Sequence, residues 1–340
     1  MEPVLISIVI PFFNTPWPLL QQCIDSILAQ TEQISYEVIL VNDCSTDKTP
    51  VECCAEYIRP HPQFSLYQNE KNSGVSHTRN AGAALCSGRF IWFVDADDSI
   101  EPQAFARLRQ AAEDPAADTV FFDYYAVAEG QKTPMMRQLA PQDCVCMNEK
   151  LAERLILGCD FNSPWKALYS RALLQQNGLR FDENTRNGED YLFNAAYLQR
   201  MQKGVYLQEC LYNYFYYSQS ATRRFSAVHV HDFGKLFRCR LALLKQWFPA
   251  PEQPQYAAFA EEQIRTLCIH IWQGLVAKAP KTVLDECLAA DWVKVLLQLP
   301  VNGGLNTIAR AALQNKNYTV LRLLYEARRL RDAVTGHRSL

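Results

Sequence analysis

Three carboxylates follow a short apolar segment near residue 95. The segment Phe90–Val94 is hydrophobic, and Asp95, Asp97 and Asp98 come directly after it within four positions. Because side chains alternate along a strand, Asp95 and Asp97 leave the strand end on the same side, where they repel each other unless one is protonated or a cation lies between them. Oxygen ligands of this kind suit Mg2+ or Mn2+, which complete their coordination with water and substrate phosphates. The pattern predicts a metal–diphosphate site at the carboxyl edge of a sheet.

Three other interpretations account for less of this acidic segment. An EF-hand calcium loop that starts at Asp95 needs glycine where the chain has Ile100, and it needs a preceding helix rather than Phe90–Val94. An N-cap for a helix that opens near Pro102 explains one acid and leaves the others unexplained. An aspartyl-nucleophile phosphatase carries Asp-x-Asp near the start of its fold, whereas this segment follows the fourth predicted strand.

The composition allows a large core and provides no general attraction to nucleic acid. The chain has 340 residues, of which 49% are apolar, and a formal net charge of -2. This length predicts two lobes, or one domain with a substantial appendage. The 12 cysteines lack paired CxxC spacing, which favours reduced thiols in a cytoplasmic protein. No signal-peptide pattern and no run of roughly 20 apolar residues occurs, so we expect membrane contact to be peripheral at most.

Strand and helix patterns alternate through the first 130 residues. The predicted strands are Ile6–Phe13, Glu37–Val41, Phe64–Gln68, Phe90–Val94 and Thr119–Ala126, and the predicted helices are Leu19–Ala29, Thr49–Tyr57, Ser76–Cys86 and Pro102–Ala112. This alternation predicts an α/β fold, with a parallel sheet and helices on both faces. Polar segments follow the first four strands, and the carboxyl ends of parallel strands collect ligands, so we expect a nucleotide site there.

Two common nucleotide-binding motifs are absent from the sequence. A dinucleotide-binding domain needs Gly-x-Gly-x-x-Gly after its first strand, and the chain has Pro11–Pro16 there, without glycine. The P-loop motif Gly-x-x-x-x-Gly-Lys-Ser/Thr does not occur. The sequence therefore argues against a hydride-transfer Rossmann domain and against a P-loop NTPase.

Four ordered motifs resemble the signatures of family 2 glycosyltransferases, which have the GT-A fold, a Rossmann-like nucleotide-diphospho-sugar transferase fold. The motifs are Val9-Ile-Pro-Phe-Phe-Asn14, Glu37-Val-Ile-Leu-Val-Asn-Asp-Cys-Ser-Thr-Asp47, Asn69-x-x-Asn-Ser-Gly-Val-Ser-x-x-Arg-Asn-Ala-Gly82 and Phe93-Val-Asp-Ala-Asp-Asp98. The resemblance is tightest over residues 5–100 and continues more loosely to about 220, through 163–169, 188–193 and 212–217. It implies a GT-A domain over residues 1–220, with a nucleotide half (1–130) and an acceptor half (131–220). A helical C-terminal region would cover residues 221–340.

The resemblance implies that residues after the first two strands bind the nucleotide. Pro11 and Asn14 would line the nucleotide pocket through backbone and amide contacts. Asp43 would accept a hydrogen bond from the imide N–H of the base, a geometry that favours uracil. The structural alternative for Asp43 is an Asx-turn or an N-cap within its own loop.

Residues after the third and fourth strands would supply the remaining donor contacts. Those that the resemblance places around the nucleoside and diphosphate are Asn72, Gly74 and Arg79. A salt-bridged position on a helix surface is the alternative for Arg79. Asp95 would contact the ribose or the metal, the Ala96 amide would face the nucleotide, and Asp97 would hold Mn2+ or Mg2+.

Sugar transfer also needs a base, because an acceptor hydroxyl is a poor nucleophile at neutral pH. The family analogy places this role on the pair Glu189-Asp190, although helix-start charge explains either acid equally well. We favour Asp190 as the base and Glu189 as an orienting or acceptor contact. The implied mechanism is an inverting single displacement, in which the metal and Arg79 stabilise the departing nucleoside diphosphate. Processive relatives carry membrane helices and a Gln-x-x-Arg-Trp motif, which are not found here, so the transfer of one or a few sugars is expected.

Two further regions suggest contacts with the acceptor. Trp165 is suited to stack on an acceptor sugar and Lys166 to neutralise a phosphate, but a core or wall position suits Trp165 equally. From Asn306 to Leu340 there are seven Lys/Arg against two acids, with apolar residues between them. This pattern predicts either a basic amphipathic helix on an anionic membrane that carries a lipid-linked acceptor, or a packed helix with a solvated basic face.

The sequence-based hypothesis is metal-dependent transfer from a nucleotide-sugar, with UDP favoured, to a glycan or lipid-linked saccharide in cell-surface polysaccharide synthesis. The alternative from a different class is a non-catalytic nucleotide-sugar-binding or scaffold protein on a transferase fold. Retention of all the expected carboxylates argues against that alternative. Neither hypothesis involves a nucleic-acid partner.

Overall fold

The computed structural model describes residues 3–32, 34–137, 139, 146–216 and 227–335. The chain forms two compact units. The first unit consists of Met1–Leu151, Asp160–Thr185 and Glu189–Ser220, and the second consists of Ala152–Cys159, Arg186–Gly188 and Ala221–Leu340.

Strands and helices alternate from residue 6 to residue 93, and further elements follow to residue 215. In chain order they are β1 (Ile6–Phe12), α1 (Trp17–Leu28), β2 (Tyr36–Asn42), α2 (Thr49–Ile58), β3 (Phe64–Gln68), α3 (Val75–Leu85), β4 (Phe90–Phe93), β5 (Ser99–Ile100), α4 (Ala104–Ala111), β6 (Thr119–Ala128), β7 (Gln131–Met135), α5 (Glu149–Leu157), a 3-10 turn (Pro164–Lys166), β8 (Ala167–Ser170), α6 (Arg171–Gln176), α7 (Glu189–Leu198) and β9 (Gly204–Phe215).

The sheet of the first unit has a parallel part and a mixed part. The strand order is β3-β2-β1-β4-β8-β6-β9-β5, and β7 pairs with β6. Strands β3, β2, β1 and β4 pair in parallel, as predicted. The fifth predicted strand, β6, is not the next parallel neighbour, because β8 lies antiparallel between β4 and β6. This insertion joins segments that are far apart in the chain, which a local hydrophobic pattern does not encode.

Strand β1 is buried along its whole length because helices cover both of its faces. Ile8 and Ile10 belong to the core cluster that also contains Leu20 of α1. On the other face α3 approaches closely, since a Cβ atom on Gly82 would lie 2.5 Å from Cγ1 of Val9. The continuous apolar sequence of β1 therefore reflects burial on two sides.

The second unit is helical in the part that the structure describes. Its helices are α8 (Ala227–Trp247), α9 (Pro254–Val276), α10 (Lys281–Ala289), α11 (Asp291–Gln298), α12 (Leu305–Gln314) and α13 (Tyr318–Thr335). In α13, Leu321 is buried and the Tyr325 ring stacks on Trp272 with a centroid distance of 3.8 Å. Leu323 is exposed on the same helix, and the side chain of Leu330 lies outside the described residues. The contacts of Leu321 and Tyr325 support the packed-helix interpretation over membrane contact.

The hydrophobic character of the helices and the state of the cysteines bear on two expectations from the sequence. No helix among them combines the length and apolar character that crossing a membrane requires. All of their cysteines are free thiols, in line with the unpaired spacing in the sequence, and Cys144 lies outside the described residues.

Candidate active site

A cavity of about 320 Å3 lies at the carboxyl ends of β1 and β4 in the first unit. Its walls are residues 11–16, Leu19, Val75 and the segment Asp95–Asp97. The cavity therefore brings together several predicted donor-binding residues, namely Pro11, Asn14, Asp95, Ala96 and Asp97. The other predicted donor-binding residues, Asp43, Asn72, Gly74 and Arg79, do not line it.

Asn14 joins the loops that follow β1 and β2. Its Oδ1 accepts hydrogen bonds from the backbone N of Thr46 (2.9 Å) and of Asp47 (3.2 Å), and its own backbone N donates to Oγ of Ser45 (2.9 Å). The left-handed backbone of Asn14, with φ of 50°, is one that asparagine tolerates better than most residues. The amide oxygen is thus engaged by protein, and the predicted contact with a nucleotide would use the amide NH2 group.

Asp43 holds the loop between β3 and α3. Its Oδ1 accepts from Asn69 Nδ2 (2.8 Å) and from the Ser73 backbone N (2.9 Å), and its Oδ2 accepts from the Gly74 backbone N (2.8 Å). The Asx-turn in the segment after β2 is made by Asp47, whose Oδ1 accepts from the Thr49 backbone N at 2.9 Å. Because the Asp43 carboxylate binds the loop after β3 and not its own loop, the Asx-turn or N-cap alternative for Asp43 is wrong. A carboxylate offers about four acceptor positions, which leaves room for the predicted contact with a base.

Gly74 and Asn72 lie in the loop that Asp43 holds. Gly74 has φ of +89° and precedes α3, and this left-handed backbone is the reason that glycine suits the position. Asn72 is exposed in the same loop. The donor contacts of both residues are predictions from the family resemblance.

The three acids after β4 have different surroundings. Asp98 is 1% exposed and accepts hydrogen bonds from the Tyr212 hydroxyl (2.7 Å) and from the Phe215 backbone N (2.9 Å). It does not cap α4, whose N-cap residue is Gln103. Asp95 pairs with Arg79, and Asp97 faces the cavity. Only two of the three acids are therefore available at the cavity.

The two cavity acids fit a divalent cation that arrives with a diphosphate. Desolvation, and then the negative charge of Asp95, raise the pKa of Asp97. A cation between two such carboxylates relieves this repulsion. Among the described residues, no cluster of three or more His, Cys, Asp or Glu side chains could hold a metal by itself. Mg2+ and Mn2+ sites that use one or two carboxylates and substrate phosphates match this donor set.

Arg79 connects the acids of the cavity with the predicted base. Its Nη2 lies 3.0 Å from Asp95 Oδ1, its Nη1 lies 2.7 Å from Asp190 Oδ1, and Nη1 is 3.8 Å from Glu189 Oε1. The side chain of Arg79 is only 5% exposed, so the alternative of a helix-surface residue is wrong. Because Nη1 and Nη2 bind protein carboxylates, the predicted direct contact with the diphosphate is not supported by this geometry.

Asp190, the predicted base, lies beside Glu189 and Arg79. The pair Glu189-Asp190 forms the first turn of α7. Burial raises the pKa of Asp190 to about 7, against the attraction of Arg79, which lowers it, and the charges of Glu189 and Asp95 raise it further. A base whose pKa lies near the working pH is the most effective in proton transfer.

The two predicted acceptor residues, Trp165 and Lys166, are buried in the first unit. Trp165 stacks on Tyr212 with a centroid distance of 4.5 Å and an interplanar angle of 9°. The Nζ atom of Lys166 lies 5.5 Å from the centroid of the Tyr124 ring. Neither residue lines the cavity, so the acceptor roles of both residues lack support. Trp165 instead has the buried core position that the sequence also allowed.

Sequence reasoning missed the residues that hold the site loops. Asn69 binds Asp43, and the Tyr212 hydroxyl binds the acidic loop after β4. The sequence signal for them was indirect. Asn69 and Tyr212 both belong to segments that resemble family motifs, but the resemblance assigned neither residue a role.

Comparison with known proteins identifies relatives of this chain. The profile described as Glycosyl transferase family 2 matches residues 7–178. The uncharacterized glycosyltransferase EpsJ of Bacillus subtilis is 32% identical over 213 residues, which is 62% of this chain and 60% of EpsJ. The chain thus spans less than two thirds of the length of this relative.

Solved structures match nearly the whole chain. Residues 1–349 of S. aureus TarS in complex with UDP-GlcNAc superpose with a TM-score of 0.68 and 19% identity, over 96% of this chain and 92% of that chain. TarS is named a poly(ribitol-phosphate) beta-N-acetylglucosaminyltransferase. A Pyrobaculum calidifontis mannosyltransferase with GDP-Man and Mn2+ superposes with a TM-score of 0.52 and 15% identity, over 98% of this chain and 89% of that chain. The TarS match confirms the predicted fold class, including the helical C-terminal region.

Proposed function

Because the chain belongs to glycosyltransferase family 2, we propose that it transfers a sugar from a UDP-sugar to a glycan or a lipid-linked saccharide. The family membership confirms the resemblance that the four sequence motifs indicated. The UDP-GlcNAc complex of TarS supports a UDP-sugar as the donor, and the poly(ribitol-phosphate) in the name of TarS supports a polymer as the acceptor.

One observation carries this proposal: the guanidinium of Arg79 contacts both Asp95 and Asp190. Arg79 contacts Asp95 at 3.0 Å and Asp190 at 2.7 Å, so the predicted base lies one side chain away from an acid that lines the cavity. This arrangement suits an inverting transfer, because the base must reach the acceptor while the donor is held by its diphosphate.

In the proposed reaction the carboxylate of Asp190 takes the proton of the acceptor hydroxyl. The acceptor oxygen forms a bond to the anomeric carbon, and the bond from that carbon to the diphosphate oxygen breaks, with its electron pair leaving on the nucleoside diphosphate. Attack from the face opposite the leaving group inverts the anomeric centre. No protein nucleophile takes part.

Asp95 and Asp97 would hold Mg2+ or Mn2+ in this proposal. Such an ion supplies positive charge that stabilises the departing diphosphate. The Mn2+ in the mannosyltransferase structure supports this assignment. Arg79 has a positioning role, since its two contacts keep the carboxylates of Asp95 and Asp190 at a defined separation.

The test is a screen of UDP-sugars and GDP-mannose, with saccharide and lipid-linked acceptors, by the release of nucleoside diphosphate and the formation of a glycosylated product. We expect acceptor-dependent turnover with at least one UDP-sugar, and turnover at least about 100-fold slower for Asp190→Asn under the same conditions. Asp291→Asn is the matched control, because Asp291 has a 96% exposed side chain in the second unit. Turnover with GDP-mannose alone would contradict the choice of UDP.

A further inference from the structure

The hydroxyl of Tyr212 in β9 binds both ends of the acidic turn that follows β4. It donates to Asp98 Oδ2 at 2.7 Å and accepts from the Asp95 backbone N at 3.1 Å. A phenol hydroxyl has one proton to donate and lone pairs to accept, so the two bonds form together. Tyr212 is completely buried, so water does not compete for these bonds.

Further hydrogen bonds, within the turn and from β9, hold this turn and the residue Glu101 that follows it. The Phe215 backbone N donates to Asp98 Oδ1 (2.9 Å), and the Asp98 backbone N donates to the Asp95 carbonyl (3.2 Å). Asn213 Nδ2 donates to Glu101 Oε1 at 2.7 Å. The buried Asp98 is thus held by a side chain and a backbone group of one strand. The role of this third acid is anchorage, and the two acids before it face the cavity.

The ring of Tyr212 is fixed by aromatic packing. Trp165 stacks on it at 4.5 Å, nearly parallel, and the Trp165 carbonyl accepts a hydrogen bond from Trp92 Nε1 at 2.9 Å. Stacking on a partner that is itself hydrogen-bonded restricts ring motion, so the hydroxyl stays at one place. Trp165 thus supports the Tyr212 ring and does not serve as the predicted acceptor contact.

We propose that Tyr212 is a positioning residue for the donor site, whose hydroxyl ties Asp95 to Asp98 and thereby orients the Asp95 and Asp97 carboxylates toward the cavity. The inference rests on the proposed binding of a nucleoside diphosphate with Mg2+ or Mn2+ at these acids. Without the hydroxyl, Asp98 keeps the Phe215 bond but loses its second donor, and the Asp95 amide loses its acceptor. The turn then samples positions in which the two cavity acids do not converge.

The test compares Tyr212→Phe with the matched control Tyr214→Phe, which removes a hydroxyl from the same strand and from a ring that also stacks on Trp165, at 5.4 Å. Titration calorimetry measures UDP affinity with and without Mn2+. We expect Tyr212→Phe to weaken Mn2+-dependent UDP binding on the order of tenfold, the usual effect of losing a hydrogen bond to a charged group. Tyr214→Phe should bind like the unchanged chain.

A second measurement needs no ligand. Hydrogen exchange followed by mass spectrometry on peptides that cover residues 93–101 should show faster exchange in Tyr212→Phe than in Tyr214→Phe, with similar exchange elsewhere. Asp98→Asn, which removes the charge that the hydroxyl binds, should act in the same direction, and it replaces Tyr212→Phe if that variant does not fold.

The outcomes separate this inference from the proposed function. If Tyr212→Phe binds Mn2+ and UDP like the unchanged chain, or shows unchanged exchange over 93–101, the positioning role is wrong. If the unchanged chain binds neither UDP nor another nucleoside diphosphate, the proposed function fails, and the donor-positioning role fails with it. Slower turnover with unchanged UDP affinity in Tyr212→Phe would also contradict the inference.

Discussion

The guanidinium of Arg79 lies 2.7 Å from the carboxylate of Asp190, and the two residues are 111 positions apart in the chain. The same guanidinium reaches Asp95 at 3.0 Å. A single buried cation thus neutralises part of the charge of two acids that the proposed reaction uses for different tasks, one at the donor and one at the acceptor. The pKa of Asp190 and the placement of Asp95 consequently depend on one side chain.

The first prediction concerns the base. Asp190→Asn keeps the size of the side chain but removes its basicity, so we expect transfer to fall by roughly 100- to 10,000-fold, the contribution of general base catalysis. UDP affinity should change little, since Asp190 does not line the cavity. Initial rates and calorimetry measure the two effects, with Asp291→Asn as the control. Near-normal transfer by Asp190→Asn would move the base to Glu189 or elsewhere, and donor binding without any transfer by the unchanged chain would favour the binding-protein alternative.

The second prediction is a pH dependence. Burial raises the pKa of Asp190 to about 7, and the base works only when it is deprotonated. We therefore expect kcat/KM to rise with pH up to about 7 and to level off above, with roughly a tenfold loss for each pH unit below the pKa. Rates measured in buffers of constant ionic strength check this. A flat profile across that range would show that no group with a pKa near 7 limits the reaction.

The third prediction concerns Arg79. Arg79→Gln leaves two partly buried carboxylates without their cation, so the free energy of unfolding should fall by about 3 kcal/mol. Since the charge of Arg79 lowers the pKa of Asp190, its removal should also move the acid limb of the pH profile to higher pH. Denaturant unfolding and pH–rate profiles measure these effects. Arg59→Gln is the control, because Arg59 forms a surface pair with Glu56 that should contribute little.

The fourth prediction separates the metal site from the base. Asp97→Asn removes one of the two cavity carboxylates, so Mn2+ should no longer increase the rise in melting temperature that UDP produces, because the stabilisation follows RT ln(1 + [L]/Kd). Asp190→Asn should retain the Mn2+ effect. Equal UDP shifts with and without Mn2+ in the unchanged chain would contradict the assignment of Asp97.

The fifth prediction concerns Gly188, which precedes the acidic pair. Gly188 has φ of +91°, and a Cβ atom there would lie 2.5 Å from Cδ2 of Leu236, another residue of the second unit. Gly178 also has a positive φ, of +59°, but nothing lies within 4 Å of the added Cβ atom. Gly188→Ala should therefore destabilise the chain by about 1–3 kcal/mol more than Gly178→Ala, because overpacking is added to backbone strain. An equal decrease in the free energy of unfolding for the two variants, measured by denaturant unfolding, would show that the Leu236 side chain moves aside without destabilising the fold.

The sequence by itself determined the parallel part of the sheet and the location of the cavity after β1 and β4. The alternating patterns placed β1 to β4 within two residues of their observed bounds, and the continuous apolar sequence of β1 reflects its burial on two faces. The polar segments after β1 and β4 then meet at one cavity, since parallel strands end on the same edge of a sheet. The acidic pair at 189–190 was also found in sequence, at the start of a helix, as observed.

Only the tertiary structure decided how the charged residues are paired. The sequence showed three acids after β4, but not that Asp98 is turned inward to Tyr212, 114 positions away. It also did not show that Arg79 is buried between Asp95 and Asp190, or that β8 separates β4 from β6. Periodicity records whether a side chain is buried, whereas the partner and the pKa of a buried charge depend on groups that folding brings together from distant parts of the chain.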